Sequence, residues 1–304
     1  MKERELHIGM IGQGAISTLF AYYWKQAKVS ILVRTLPRTQ KRIQDLTNHM
    51  HIVEHPIKQI NQANLASIDV LVITVKAYQT ESLAIRLKDC INSSTHIVLI
   101  QNGMGGHEIL AEYFPNNRIY AGITTDAIYA IDNRTYQITA TGRLDLGEVT
   151  KESNVQSNYE NTSIIKTFLA FHPCSDLQDN IFPFLYKKLA INAVINPLTA
   201  IKNIKNGDLL AFSTDYRALI NEVYSVYKAM GLDTDLETLA HDIESVMKKT
   251  ANNYSSMHQD VYYKRQTEVD SVLGYLIRQA ETHQLSVSLM KTLYQQITEN
   301  AQQS

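Results

Sequence analysis

Short apolar runs recur through the first half of the chain, at His7–Ile11, Val29–Val33, Val70–Val75, Ile97–Ile100 and Ile119–Ile123. Helical stretches separate them, at Ala15–Ala27, Gln79–Lys88 and Gly106–Phe114. Continuously apolar strands alternating with helices predict a parallel sheet covered on both faces. His51–Ile60 reads as one weaker strand. From Ala127 to Val149 the pattern changes, with turns at Asp132–Asn133 and Thr141–Gly142 between three extended segments. These predict antiparallel strands at the edge of the sheet, and Ser163–Phe171 a closing helix. Beyond about residue 180 the strand signals stop. Phe184–Ile201, Asp215–Met230, Leu236–Thr250, Glu268–His283 and Ser288–Asn300 read as helices, with Asp215 and Asp235 as N-caps and Gly231 as a stop after Met230. The predicted fold class is α/β: a doubly wound sheet over 1–180, then an all-helical domain over 181–304.

The helical half contains one segment whose polarity needs explaining. Lys188, Asn192 and Asn196 stand four residues apart in the otherwise apolar stretch Lys188–Ala200. On a helix they share nearly one face. Buried polar groups cost roughly 1–3 kcal/mol each without a partner, so a small polar ligand is one candidate for that face. Lys187 lies about 100° around the helix and is the candidate for the solvated member of the lysine pair. Pro197 gives Asn196 a structural alternative, satisfying backbone groups that the proline frees.

A second signal follows the first strand. Gly12-Gln13-Gly14-Ala15-Ile16-Ser17 is one residue off the G-x-G-x-x-G dinucleotide fingerprint and opens the first helix. The first Gly permits a tight turn, the second lets a pyrophosphate approach the backbone, and the helix N-terminus offers N–H donors. Ser17 is small enough for the third position. A carboxylate at the end of the second strand would favour NAD, whereas this chain has Arg34 there, with Arg38 close behind. A guanidinium can pair with a 2′-phosphate, so NADP(H) is favoured. Lys76 and Gln101-Asn102-Gly103-Met104-Gly105 end two later strands on the side where open α/β sheets bind ligands.

Composition narrows the partners. The 304 residues carry 29 Lys+Arg against 30 Asp+Glu, a net charge of −1 that gives no reason to expect nucleic acid or an anionic membrane. No run reaches the ~18 apolar residues of a membrane span. The two cysteines, Cys90 and Cys174, call for no disulfide, so a soluble cytoplasmic protein is expected. The ten histidines show no metal-ligand spacing, and no metal is expected. The helical half could carry a homodimer interface, but nothing in the sequence locates one.

At this point the chain resembles the ketopantoate reductase family. The matching pieces are Gly12–Ser17, Val75-Lys76-Ala77, Gln101–Gly105 and Lys188–Ala200, then Asn206-Gly207, Asn253–Met257, Gln259-Asp260 and Thr267–Asp270. The lysine segment is the most specific of them. The resemblance implies a Rossmann domain joined to a helical domain, with the active site in the cleft between, and NADPH-dependent reduction of ketopantoate to pantoate on the way to pantothenate and coenzyme A. It implies that Lys188 donates the proton and that Asn192, Asn196, Asn206, Asn253 and Ser256 line the substrate site. Asn102 would touch both cofactor and substrate, and Lys76 and Glu268 would serve the cofactor side. Ser17 departs from the usual third glycine. Ser256 and Thr267 also fit capping boxes, a structural role compatible with a functional one. Two other readings stand beside this one: a reductase of another small 2-oxo acid, and a non-catalytic NADP(H)-binding sensor on the same fold.

Overall fold

In a computed structural model, described over residues 6–26, 30–33, 41–53, 67–150 and 159–302, the apolar runs form strands as their pattern predicts. The strands are β1 (His7–Ile11), β2 (Ser30–Val33), β3 (Lys41–Gln44), β4 (Met50–Val53), β5 (Val70–Ile73), β6 (His96–Ile100), β7 (Ile119–Thr124), β8 (Ala127–Ala130), β9 (Thr135–Ala140), β10 (Leu144–Glu148) and β11 (Ser175–Leu177). Seven of them make one sheet in the order β11-β10-β7-β6-β5-β1-β2. Neighbours from β2 to β7 are parallel, and β10 runs antiparallel to β7. Helices α1 (Ala15–Gln26), α2 (Thr80–Leu87), α3 (Gly106–Tyr113) and α4 (Tyr159–Leu169) complete the first half. The chain divides into two compact units, Met1–Gln101 with Gly106–Ile181, and Asn102–Gly105 with Phe182–Ser304.

The three extended segments between Ala127 and Val149 do not all join the edge of that sheet. Leu144–Glu148 does, but β8 and β9 leave it and build a second sheet, in the order β4-β3-β9-β8. The physical reason is α1. Its Leu19, Phe20, Ala21 and Trp24 are at most 2% exposed, so it needs apolar cover on more than one side. Ile43, Val53, Tyr136 and Ile138 of the second sheet join Ile8, Met10, Val70 and Val72 of the first in a single core around it. Fully burying a side chain of this size contributes roughly 1.5–3 kcal/mol. The opposite face of the large sheet packs Ile73, Ile97 and Ile119 against Leu83, Leu87 and Leu110.

A carboxylate ties the two sheets together. Asp126 and His172, 0% and 2% exposed, pair at 2.8 Å. Asp126 also accepts from Tyr23 Oη at 3.2 Å, from the Gly142 amide at 2.9 Å and from the Thr124 hydroxyl. Burial pushes the Asp126 pKa up, but the bonds from His172, Thr124 and Gly142 outweigh it and leave the pKa lowered.

In the second unit, α5 (Phe182–Lys202) runs unbroken through Pro197, followed by α6 (Ser213–Ala229), α7 (Leu236–Lys249), α8 (Ser256–Tyr262), α9 (Tyr275–Thr282) and α10 (Ser288–Gln302). A π-helical turn, Asp270–Gly274, leads into α9. Asp235 caps α7, accepting from the Thr238 amide at 2.8 Å, and Gly231 stops the preceding helix at φ +74°. Asp215 is not a cap: α6 begins two residues earlier, and Asp215 sits in its first turn, paired with Lys202 at 2.7 Å. Among the described residues, no helix is long and apolar enough to cross a membrane.

Candidate functional site

The glycine loop leaves β1 between β2 and β5, the point where the strand order reverses and where open α/β sheets take ligands. Gly12 has φ +143°, and a Cβ there would collide with the Thr74 hydroxyl. Thr74 is held in place by its own amide, which donates to the Ile11 carbonyl at 2.8 Å. Only glycine fits this position. A Cβ at Gly14 would meet nothing within 4 Å, so that side of the loop is open. Ser17 and Thr18, both 0% exposed, donate their hydroxyls to the Gly14 carbonyl at 2.9 Å. Ser17 therefore fills the third-glycine position by pointing inward and bracing the turn. Gln13, Ala15 and Ile16 stay partly exposed. This cradle, with the α1 N-terminus behind it, suits a pyrophosphate. Lys76 follows β5, its amide bonded to Gln79 Oε1 at 3.2 Å. Arg34 lies outside the described residues.

The helical unit holds the second cluster. The Asn102–Gly105 loop belongs to it and is fastened to the π-helical turn. The Met104 amide donates to the Ser271 carbonyl at 2.8 Å, and Ser271 Oγ donates to the Glu268 carbonyl at 3.0 Å. Gly103 has φ +79° and abuts Ser271 so closely that a Cβ would strike both its carbonyl and its hydroxyl. Asn102 Nδ2 donates to Glu268 Oε2 at 3.2 Å. Asn102, Asn196, Ser256, Met257, Asp260, Glu268 and Val272 line one small recess open to solvent.

Lys188 stands in the field of the same carboxylate. Burial lowers its pKa below the ordinary 10.5, and Glu268 acts in the opposite direction. Asn192, one turn further along α5, is partly exposed, and Asn196 is 8% exposed. Among the described residues the Asn196 side chain makes no hydrogen bond to the backbone freed by Pro197, so its structural alternative is not the one realised. Lys187 is the exposed member of the lysine pair, joined to Asp242 at 2.6 Å.

Asn206 and Asn253 meet across two neighbouring turns. Asn206 Nδ2 bonds Thr250 Oγ1 at 2.9 Å and its amide bonds the Asn253 carbonyl at 3.0 Å, which locks the two turns together. Neither Asn206 nor the exposed Asn253 lines the recess. The cap at α8 is also corrected: Ser255, not Ser256, accepts from the His258 amide, at 3.1 Å. Its β-region backbone (φ −66°, ψ 158°) makes it the residue outside the helix, which leaves the Ser256 hydroxyl for the recess. Thr267 Oγ1 accepts only from Val269, at 3.4 Å, so the second capping box is not formed either. Met257, Asp260 and Val272 were not expected at the recess. Asp260 was findable, since it lies four residues after Ser256 on the same helix face.

Comparison with known proteins follows this division. Residues 8–151 match the family described as Ketopantoate reductase PanE/ApbA, and 180–301 match its C-terminal counterpart. A 2-dehydropantoate 2-reductase of Vibrio cholerae is 31% identical, covering 96% of this chain and 97% of the relative. The crystal structure of a probable 2-dehydropantoate 2-reductase from Bacillus subtilis superposes with TM-score 0.79 at 26% identity, covering 97% of this chain and all of that one. A ternary structure of D-mandelate dehydrogenase with NADH and anilino(oxo)acetate shares the fold, with TM-score 0.85 at 18% identity, covering 98% of this chain and 99% of that one. Sequence and fold together place the chain in the ketopantoate reductase family of oxidoreductases.

Proposed function

We propose that the chain reduces 2-dehydropantoate to pantoate with NADPH, and that Lys188 delivers the proton. The observation that carries this reading is the grouping of Lys188, Glu268 and Asn102 with a small recess lined by Asn196 and Ser256. A nicotinamide dinucleotide, when bound at Gly12–Ser17, supplies the hydride for C2 of the oxo acid; the open side of Gly14 and the buried Ser17 fit it. Negative charge then grows on the C2 oxygen, and the Lys188 ammonium stabilises that charge and releases its proton to the same atom. Burial makes the ammonium a stronger acid, and Glu268 keeps it charged until the charge on the substrate appears. Asn102 holds the Glu268 carboxylate in one orientation. Asn192, Asn196 and Ser256 supply donors for the substrate's carboxylate and hydroxyl, while Asn206 and Asn253 support the site from the adjoining turns. Arg34, directly after β2, gives the preference for the 2′-phosphate, and Lys76 assists on the cofactor side.

The D-mandelate dehydrogenase likeness favours a second reading, a different small 2-oxo acid on the same scaffold. Comparing kcat/KM for ketopantoate with that for a panel of 2-oxo acids, followed through NADPH absorbance, separates the two. Ketopantoate ranking first, with turnover lost and NADPH binding kept in Lys188→Ala, is the expected result. A full rate in that variant removes Lys188 from the mechanism, and a higher kcat/KM for another acid replaces the substrate.

A further inference from the structure

Helix α8 presents Ser256, Met257 and Asp260 to the recess, and two hydrogen-bonded ties hold it to α5. The first begins at its cap. The His258 amide donates to Ser255 Oγ at 3.1 Å, and Ser255 Oγ lies 2.8 Å from Thr199 Oγ1. Thr199 has a single hydroxyl hydrogen and directs it to the Ile195 carbonyl at 2.7 Å, with the Asn196 carbonyl at 3.2 Å. Ser255 is therefore the donor to Thr199. The chain of bonds runs one way, from α8 to the α5 backbone at Ile195, next to Asn196, whose side chain lines the recess.

The second tie is the His258 ring. Its Nε2 lies 2.8 Å from Asn203 Oδ1. An amide oxygen only accepts, so Nε2 carries the proton. Nδ1 is then bare, and it is buried without a hydrogen-bond partner among the described residues. The residue is 4% exposed. Its ring stacks on Tyr254 (4.3 Å, 20°) and Tyr262 (6.1 Å, 10°), which fixes its plane. Burial pulls its pKa below 6.5, in keeping with a neutral ring. Asn203 stands just past the end of α5, at φ +54°. The cap needs only the backbone of residue 258, so nothing in capping calls for an imidazole. An apolar ring or chain would bury the same surface without an orphan nitrogen.

We infer that His258 is a positioning residue for the oxo acid site, its grip on Asn203 fixing the spacing between Ser256 on α8 and Asn196 on α5. The inference rests on the reductase reading above. It is tested by steady-state NADPH oxidation with ketopantoate in the wild-type protein, His258→Gln and His258→Asn. Glutamine can place an N–H where Nε2 stands, whereas asparagine is one carbon too short. In His258→Asn the KM for ketopantoate rises roughly tenfold, the effect of about one lost hydrogen bond. Its kcat and its KM for NADPH stay within about twofold of wild type, and His258→Gln restores the KM. Equal KM values in all three proteins overturn the inference and leave the reductase reading standing. A parallel change in kcat and both KM values with a lowered Tm also overturns it, since that is general destabilisation. If the wild-type protein leaves ketopantoate unreduced, the reductase reading fails, and amide hydrogen exchange reads the tie directly. Faster exchange across 255–262 in His258→Asn but not in His258→Gln supports it, and identical exchange refutes it.

Discussion

Replacing Gly103 by alanine tests how the Asn102 loop is held. At φ +79° a side chain is strained, and a left-handed residue other than glycine costs about 1–2 kcal/mol. The new methyl group would also meet the Ser271 carbonyl and hydroxyl. Neither can retreat freely, because the carbonyl accepts from Met104 at 2.8 Å and the hydroxyl donates to Glu268 at 3.0 Å. Giving up the Met104 bond adds about 1 kcal/mol, for a total of roughly 2–3 kcal/mol. Gly105→Ala is the internal control. Its backbone is strained in the same way at φ +96°, but the nearest atom to its Cβ is Tyr275 Cδ2 at 4.0 Å, an ordinary contact. Only the strain, about 1–2 kcal/mol, is expected there. Urea titration followed by far-ultraviolet circular dichroism measures both, as shifts in midpoint at unchanged slope. Gly103→Ala should shift the midpoint further than Gly105→Ala and lower kcat/KM as well, because Asn102 moves away from Glu268. Equal shifts in the two variants would refute the argument that Ser271 clamps the loop.

With Lys188 as the proposed proton donor, the expected rate of reduction falls as pH rises through a pKa below 10.5, while that of the reverse oxidation rises over the same window. Because Glu268 raises that pKa, Glu268→Gln moves the alkaline limb to lower pH; an unmoved limb in the pH–rate profile would count against the pairing. For stability the sign is opposite: a lysine depressed by burial costs stability while protonated, and the cost is relieved as pH climbs from the folded pKa toward 10.5. Ser255→Ala removes the α8 cap and lowers stability by about 1 kcal/mol, whereas Ser256→Ala stays within about 0.5 kcal/mol of wild type and raises the KM for the oxo acid; thermal unfolding and initial rates separate the two serines. Asp126→Asn disrupts a buried set of hydrogen bonds and costs about 1–3 kcal/mol, read as a fall in Tm. In the wild-type protein the Asp126 contribution is complete above the ordinary pKa of 3.8 and is lost as pH falls through its lowered value.

Most of the large sheet was readable from its apolar strands, whereas its edge strand Ser175–Leu177, with two polar residues of three, was not. Ile8–Ile11 and Ile97–Ile100 carry no polar side chain, which burial on both faces explains. The second sheet was not readable. Lys41–Gln44 contains one apolar residue, Ile43, and the strand exists because α1 needs cover there. The Lys188, Asn192 and Asn196 stripe was legible from spacing alone, since an unbroken helix preserves it. The choice between Ser255 and Ser256 was not, because it depends on which of two adjacent serines leaves the helical backbone. Asn206 shows the opposite limit: its polarity is plain in the sequence, but the fold engages its side-chain amide with Thr250 in joining two turns. Val272 reaches the recess only through the π-helical turn, which no periodicity signals.

The Asp126 carboxylate has a kinetic consequence. Its partners lie 2, 16, 46 and 103 residues away along the chain, at Thr124, Gly142, His172 and Tyr23. Contacts of such separation form late, because the loops between them must close first. Until all have arrived, the carboxylate keeps its water, and a partial assembly gains little from burying it. The first helix and the second sheet therefore have no stable halfway arrangement and complete their docking in one step. Mutations at Asp126 should then slow folding less than they speed unfolding, since the site is sealed after the transition state has passed.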